Sequence, residues 1–207
     1  TNTMKDVLCP QCGESQKHPI HGYIDLIKNP DLKDMILKEI LFDWRCKRCN
    51  YFAAMAYPVI CADQKSGYIT SLIPISSTES VDASANIKKL KKRSVKNLSE
   101  LKEKILIFDA GYDDTAIELV KNALCSIIKK TYKVTRLHAY FCRENNGELE
   151  FAIFLPGKKT PVYHSTKTDV YFQSQEVLRA LDYKEPDEFV NVDARLSRKL
   201  LEDYQNI

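Results

Sequence analysis

Two short stretches decide the fold of this 207-residue chain, Cys9-Pro10-Gln11-Cys12-Gly13 and Cys46-Lys47-Arg48-Cys49-Asn50. Each contains a C-x2-C pair, and 33 residues separate the two pairs. A two-residue gap allows one tight turn to direct both sulfurs at a single ion, and two such turns facing each other form a closed tetrahedral site. Soft thiolates in this arrangement are typical of structural zinc. The sequence therefore predicts one structural Zn²⁺ with four ligands, Cys9, Cys12, Cys46 and Cys49.

The residues around each pair support two turns of the same kind. Pro10 fixes φ early in the first turn, and Gly13 and Asn50 follow the second cysteine of each pair. Gly and Asn best tolerate the positive φ at which the chain bends back and points N–H groups at sulfur. Because four protein ligands leave no position for water or substrate, we expect the ion to stabilise the fold rather than to catalyse a reaction.

Three other uses of these cysteines stay open on the sequence alone. A thioredoxin-like redox motif has one C-x-x-C that opens a helix after a strand, whereas both pairs here resemble turns. Two disulfides are the second alternative, which the absence of a secretory leader disfavours. The third is mixed ligation through His18 and His21, but Cys12 and His18 are only six positions apart, too close for a finger-type site with its own helix.

The remaining three of the seven cysteines, Cys61, Cys125 and Cys142, are not paired in spacing. Cys125 falls in a helical apolar pattern and Cys142 in a strand pattern. A buried free cysteine behaves as a small hydrophobic residue, so packing is predicted here rather than a reactive thiol.

Composition and charge define the broad class of protein. Hydrophobic residues make up 44% of the chain and charged residues 29%, which is enough to bury a core. A net charge of +3 is too balanced to make the whole protein a polyanion binder. The N-terminus shows no secretory leader, and the most apolar run, 53–62, is far shorter than the about 20 residues of a membrane span. We therefore expect a cytoplasmic protein without membrane contact.

The order of elements predicts an α+β chain in three parts. Residues 1–75 form a zinc ribbon with a small antiparallel sheet, and a helix at 32–38 is inserted between the two cysteine pairs. Residues 76–96 form a polar, basic linker, and 97–207 form a region of helices and one β-hairpin. The strands expected in the first part are 20–27, 41–44, 51–60 and 68–75, the last two joined by the polar loop 62–67.

The positive charge is concentrated in one segment. Eight basic and two acidic residues lie between Asn86 and Lys104, a net charge of 8 − 2 = +6, so the rest of the chain carries 3 − 6 = −3. A solvated linker or the start of a helix is the preferred interpretation. Contact with nucleic-acid phosphates is the alternative, through Lys88, Lys89, Lys91, Lys92 and Arg93.

Two helices are predicted after this segment. Asn97-Leu98-Ser99-Glu100 has capping-box spacing and begins the first helix, which ends at Gly111. Asp113 and Asp114 begin the second. They are expected to cap the helix rather than form a catalytic pair, because neighbouring helical residues point about 100° apart. The apolar face of this second helix is predicted to contain Ile117, Val120, Leu124 and Ile127.

A β-hairpin is predicted around Asn146-Gly147, the preferred dipeptide of a type I′ turn. It joins strands at 134–144 and 148–155. The predicted cross-strand pairs are Arg143 with Glu150, Cys142 with Phe151, Tyr140 with Ile153 and His138 with Leu155. A short strand near Val162 and helices at 168–181 and 191–204 complete the prediction.

The first half of the chain resembles the bacterial and archaeal CpXC domain family. The resemblance lies in both cysteine pairs and in the surrounding segments 29–33, 41–45 and 54–60, and it continues through 101–121. Lys47 stands where the family often has proline, and Cys61 where an aromatic residue is expected; neither change removes a ligand. The resemblance implies four zinc-binding cysteines and leaves the activity open, because members of the family are largely uncharacterised.

Three functions compete on the sequence alone. A binding or adaptor module, with a protein partner or a second copy of the chain, is favoured by the closed site and by a second α+β region able to hold a partner. A nucleic-acid-associated zinc ribbon is the first alternative, with Tyr51, Phe52 and Tyr57 available to stack on bases. An enzyme is disfavoured, because no Gly-rich phosphate loop is present and no catalytic motif contains any of the four histidines, His18, His21, His138 and His164.

Overall fold

The computed structural model describes residues 2–74 and 89–207, and the chain divides into two compact units. The first unit comprises residues 1–102 together with 186–190, and the second comprises 103–185 together with 191–207. Helices and several small sheets occur together, so the predicted α+β class is confirmed. Most of the predicted linker, 76–88, lies outside the described residues.

Two small hairpins of the first unit carry the cysteine pairs at their tips. Strands β1 (Asn2–Leu8) and β2 (Ser15–His21) pair in antiparallel fashion, with Leu8 opposite Ser15. Strands β4 (Asp43–Arg45) and β5 (Phe52–Ala54) do the same, with Arg45 opposite Phe52. Each hairpin therefore holds both ends of one C-x2-C turn together.

A four-stranded sheet forms the rest of the first unit, in the order β3-β6-β7-β8. The predicted hairpin is present as β6 (Val59–Asp63) and β7 (Tyr68–Leu72), but the predicted strand 51–60 is wrong in its bounds, because β5 ends at Ala54 and β6 begins at Val59. The sheet is mixed rather than antiparallel, because β3 (Tyr23–Asp25) runs parallel to β6 and β8 (Lys91–Val95) runs parallel to β7. Parallel neighbours require a long crossover connection. Helix α1 (Pro30–Leu37), which the sequence predicted, lies in the connection between β3 and β6.

Strand β8 corrects the linker prediction for Lys91–Val95 and the phosphate-contact prediction for two of its basic residues. Lys92 is 7% exposed and Arg93 is 0% exposed. The Lys92 ammonium lies 2.8 Å from the Asp187 carboxylate, and Val190 forms a parallel bridge to Arg93. A basic run is tolerated in a buried strand when its charges find partners. Lys89 and Lys91 keep solvent exposure, whereas Lys88 lies outside the described residues.

The second unit packs helices against a three-stranded antiparallel sheet in the order β11-β10-β9. The long helix α3 (Asp114–Tyr132) contacts α4 (Thr168–Ala180), α5 (Ala194–Gln205) and the sheet. Its predicted apolar face is right except at its end, because Ile127 is 62% exposed and Ile128 is buried instead. A step of four residues from Leu124 keeps Ile128 on the buried side of the helix.

Helix α2 (Leu98–Asp109) contains the division between the two units, after residue 102. Its predicted capping box is present in part. The Asn97 side chain accepts a hydrogen bond from the Glu100 N–H at 2.9 Å, whereas the Glu100 carboxylate accepts from the Lys96 N–H. Asp113 caps α3 as predicted, by accepting from the Thr115 N–H at 3.2 Å.

The predicted hairpin of the second unit is present, with one change in register. Strands β9 (His138–Asn145) and β10 (Glu148–Phe154) flank a turn in which Asn146 and Gly147 both have positive φ, as a type I′ turn requires. Arg143 pairs with Glu150 as predicted, but a β-bulge then shifts the ladder. Phe151 therefore faces Phe141 and not Cys142, Ala152 faces Tyr140, and Phe154 faces His138.

The bulge has a clear packing benefit. It places Phe141 in the core, 1% exposed, where its ring contacts the ring of Phe151 edge to face at 5.8 Å between centroids. Cys142 is left partly exposed. Burying a phenylalanine removes far more apolar surface from water than burying a cysteine, so the core selects the shifted register. Strand β11 (Val162–Lys167) completes the sheet on the other side of β10.

Buried charges join α2, α3 and β9 within the second unit. The Lys121 ammonium donates to both carboxylate oxygens of Glu103, at 3.0 and 3.1 Å, and to Glu118 at 2.9 Å. Glu103 also accepts the N–H of Phe141 at 2.6 Å. Nearby in the sequence, Lys104 and the fully buried Asp114 form an ion pair at 2.7 Å. Each buried charge thus has a counter-charge, which is the condition under which charges persist in an interior.

We expect Lys121→Met to destabilise the protein by about 3–5 kcal/mol, because it leaves two buried carboxylates without their cation. Urea unfolding followed by circular dichroism measures the effect. Lys130→Met is the matched control, since Lys130 is exposed near the end of the same helix, and it should cost less than about 1 kcal/mol. Equal losses in the two variants would contradict the role of the buried network.

The ion pairs of Lys121 also predict how the stability of the protein depends on pH. Burial alone would lower the pKa of Lys121, but Glu103 and Glu118 outweigh burial and raise it above the ordinary 10.5. The stabilisation by Lys121 is therefore complete below pH 10.5 and is lost above it, by about 1.4 kcal/mol per pH unit. The difference in unfolding free energy between the wild type and Lys121→Met should shrink from pH 9 to pH 11.5. A constant difference would argue against this linkage.

Candidate metal centre

The tips of the two hairpins in the first unit bring four sulfurs together. The Sγ atoms of Cys9, Cys12, Cys46 and Cys49 all lie within 4.8 Å of one another. The closest sulfurs belong to different turns, with 3.6 Å between Cys9 and Cys49 and 3.6 Å between Cys12 and Cys46. A tetrahedral ion with metal–sulfur bonds of about 2.3 Å sets its sulfurs about 3.8 Å apart. The cluster therefore has the dimensions of a four-thiolate metal site.

The same distances exclude disulfides in this structure. A disulfide bond is about 2.05 Å long, so sulfurs 3.6 Å apart are not bonded, and all seven cysteines are free thiols. His18 and His21, the candidates for mixed ligation, lie on β2 opposite Lys5 and Asn2 and do not belong to the sulfur cluster.

The two cysteine turns have the same backbone hydrogen bonds. In the first, the Cys9 N–H donates to Glu14 and the Gly13 N–H donates back to the Cys9 carbonyl, at 2.8 and 2.9 Å. In the second, the Cys46 N–H donates to Tyr51 and the Asn50 N–H donates to the Cys46 carbonyl, at 2.8 and 3.0 Å.

The residue after the second cysteine of each pair has the backbone conformation expected from the sequence. Gly13 has φ +76° and Asn50 has φ +64°. These are the two positions at which a positive φ was predicted, and they close the two turns in equivalent ways.

The environment of the sulfurs shifts the pKa values of two cysteines in opposite directions. Burial opposes ionisation of Cys46, but the N–H groups of Cys49 and Arg48 and the neighbouring thiols outweigh it and lower its pKa to about 6. The Tyr51 N–H favours the thiolate of Cys49, but burial and the other thiols raise its pKa to about 12. Clustered thiolates repel one another, so full ionisation of all four requires a cation between them.

Apolar side chains surround the cluster and limit access of water. Trp44 on β4 is 4% exposed and packs with Cys9 and Cys46. Val7, Tyr51 and Met55 pack against the same group. Such a shell fixes the sulfur positions and lowers the local dielectric, which strengthens the interaction between thiolates and a cation.

Gln16 is a site residue that the sequence analysis missed. It lies on β2, beside the first turn, yet its Nε2 donates to the sulfur of Cys46 at 3.1 Å in the second turn. Its Oε1 accepts the Lys47 N–H at 3.3 Å. One side chain therefore links the two turns. No spacing rule marks a glutamine seven residues after Cys9 as a partner of Cys46, so the contact is visible only in the folded chain.

The other candidate residues have packing and capping roles. Cys61 is fully buried on β6, and burial raises its pKa to about 12, so it is a neutral thiol as predicted. Burial also raises the pKa of Cys125. Asp113 caps α3 and Asp114 forms a buried ion pair with Lys104, so the two aspartates do not form a catalytic pair.

Comparison with known families agrees with the resemblance in the sequence. The family described as CpXC protein matches residues 7–121, which is more than half of the chain and includes all four clustered cysteines. The chain therefore belongs to the CpXC family. No curated protein and no solved structure was found to match it. Among the helices of residues 2–74 and 89–207, none has both the length and the hydrophobicity of a membrane span.

Gln16→Ala is expected to weaken metal binding by about 10–100-fold, because residues that hydrogen-bond a ligand orient it and tune its charge. Competition with a zinc-chelating dye measures the affinity. Gln11→Ala is the matched control, since Gln11 is an exposed glutamine within the first turn, and it should change the affinity by less than about threefold. Equal effects of the two substitutions would rule out the bridging role of Gln16.

Proposed function

We propose that the protein is a binding or adaptor module whose first unit is held together by one structural Zn²⁺ on Cys9, Cys12, Cys46 and Cys49. The observation that carries this proposal is the cluster of four sulfurs within 4.8 Å, assembled from two equivalent turns. Four thiolates are the donor set of structural zinc, and two sulfur pairs at 3.6 Å suit its tetrahedral geometry.

A structural role for the ion follows from its ligands. Four thiolates complete the coordination of zinc and leave no position for a water molecule or a substrate. Zn²⁺ also has no redox chemistry of its own. Metal binding instead offsets the repulsion among the thiolates. It also holds together the two cysteine turns, which are far apart in the unfolded chain. A reducing compartment such as the bacterial cytoplasm keeps the thiols available for this purpose.

The binding role is supported by what the first unit exposes around the cluster. Leu8 is 67% exposed directly before Cys9, and Phe52 is 51% exposed on the strand that follows the second turn. Both side chains stand on backbone that the metal would hold rigid. Rigid apolar and aromatic groups at a surface lose little conformational entropy on binding, so they are effective contacts for a partner.

Purified protein is expected to contain about one zinc per chain by elemental analysis. Cys49→Ser should lose the metal and unfold at a lower temperature, because one ligand is removed. Cys125→Ser, a substitution outside the cluster, should keep the metal. A chain that carries no zinc, or that keeps its full thermal stability after chelation, would contradict the proposal, as would iron in place of zinc.

A further inference from the structure

The second cysteine turn displays a cation held on an exposed aromatic ring. The Arg45 guanidinium carbon lies 5.1 Å from the centroid of the Phe52 ring, and an Arg45 Nη donates to the Asn50 carbonyl at 3.2 Å. Both residues are exposed, and they are direct neighbours across the β4–β5 ladder. An exposed arginine normally samples many rotamers, so two contacts that fix it produce a preorganised pair.

Two more cations lie on the same turn. Lys47 and Arg48 occupy the positions between the paired cysteines, and both are exposed. Arg48 also contacts Glu14 of the first turn, at 3.1 Å, through a pair of exposed side chains. An exposed ion pair of this kind is weak and exchanges readily for another anion. We call the four residues Arg45, Lys47, Arg48 and Phe52 the second-turn surface.

Charge alone does not explain this surface. A zinc ion with four thiolates carries a formal charge of −2, and nearby cations would offset it whatever else the protein binds. That role does not require an aromatic ring that is half exposed to water, nor an arginine laid over it. Exposing the ring has a hydrophobic cost, which a ligand with an apolar face would recover.

A ligand that satisfies both features has negative charges spaced along a chain and flat, apolar faces between them. Single-stranded nucleic acid has this chemistry, because its phosphates attract Lys and Arg while its bases stack on aromatic rings and guanidinium planes. An acidic peptide supplies the charge but lacks the stacking face. We therefore propose that the second-turn surface binds single-stranded DNA or RNA, with a base against the Arg45–Phe52 pair and phosphates near Lys47 and Arg48.

This inference rests on the proposed function, because the metal fixes the turn that carries the surface. It differs from the site predicted at residues 88–93, where Lys92 and Arg93 are buried. Two phosphate contacts to a single strand, at Lys47 and Arg48, predict a slope of about −1.4 for log K against log salt concentration. The binding is expected to be weak and to tolerate different sequences, because the surface accommodates only a few nucleotides.

Fluorescence anisotropy of zinc-loaded full-length protein with labelled dT12 and rU12 tests the proposal. Phe52→Ala and Arg45→Ala should each weaken binding about tenfold, and Lys47→Ala should flatten the salt slope by about 0.7. Lys28→Ala removes an exposed cation elsewhere in the first unit, and Tyr163→Ala removes an exposed ring from β11. Each of these controls should change binding by less than about twofold.

Zinc content and melting temperature are measured for every variant, so loss of the metal is distinguished from loss of the surface. Zinc-loaded, folded protein that binds neither oligonucleotide overturns the inference and leaves the metal proposal standing. Unchanged binding by Phe52→Ala overturns it, as does equal competition by an oligo-glutamate of the same charge. Loss of binding only in the triple variant Lys88→Ala, Lys89→Ala and Lys91→Ala also overturns it, in favour of the basic segment.

Discussion

The cysteine turns of the first unit must hold four sulfurs in a volume that one ion can fill, although the closest sulfurs belong to residues 34 and 40 positions apart in the chain. Each C-x2-C turn is a local structure and solves half of this problem by itself. The other half is to bring the turns face to face, which orders a long loop at an entropic cost. Paired hairpins, Trp44 and Gln16 bring the turns together, and a bound ion would supply the attraction that four clustered thiols lack.

The second unit is organised by burial. Aliphatic and aromatic side chains from α3, β9 and β10 form much of its core. The strand register also depends on this core, since the bulge in β9 places Phe141 inside it. The charges inside this unit are tolerated because they occur in closed groups. One group places Lys121 between Glu103 and Glu118, and the other pairs Lys104 with Asp114. Each of these five described side chains therefore has a counter-charge.

Local sequence patterns predict part of the candidate site and miss the rest. All four clustered cysteines follow from spacing alone, as does the positive φ at Gly13 and Asn50. Gln16 could not be predicted, because its partner Cys46 lies 30 residues away and a glutamine has many possible partners. The Arg45–Phe52 pair could not be predicted either. Cross-strand neighbours are defined only when the register is known, and here each strand of the hairpin has only three residues.

The sequence by itself determined the four cysteines of the cluster, the α+β class, the presence of the helices, the Asp113 cap and the type I′ turn at Asn146-Gly147. These features depend on interactions within a few residues, where backbone preferences and hydrogen bonds act directly. Tertiary structure alone decided that Lys91–Val95 is a strand with Lys92 and Arg93 buried, that the first sheet is mixed, and that a β-bulge at Cys142 shifts the β9–β10 register. In each of these cases the outcome depends on a partner that is distant in the sequence, namely Asp187, β6 or Phe151, and a local pattern does not identify such a partner.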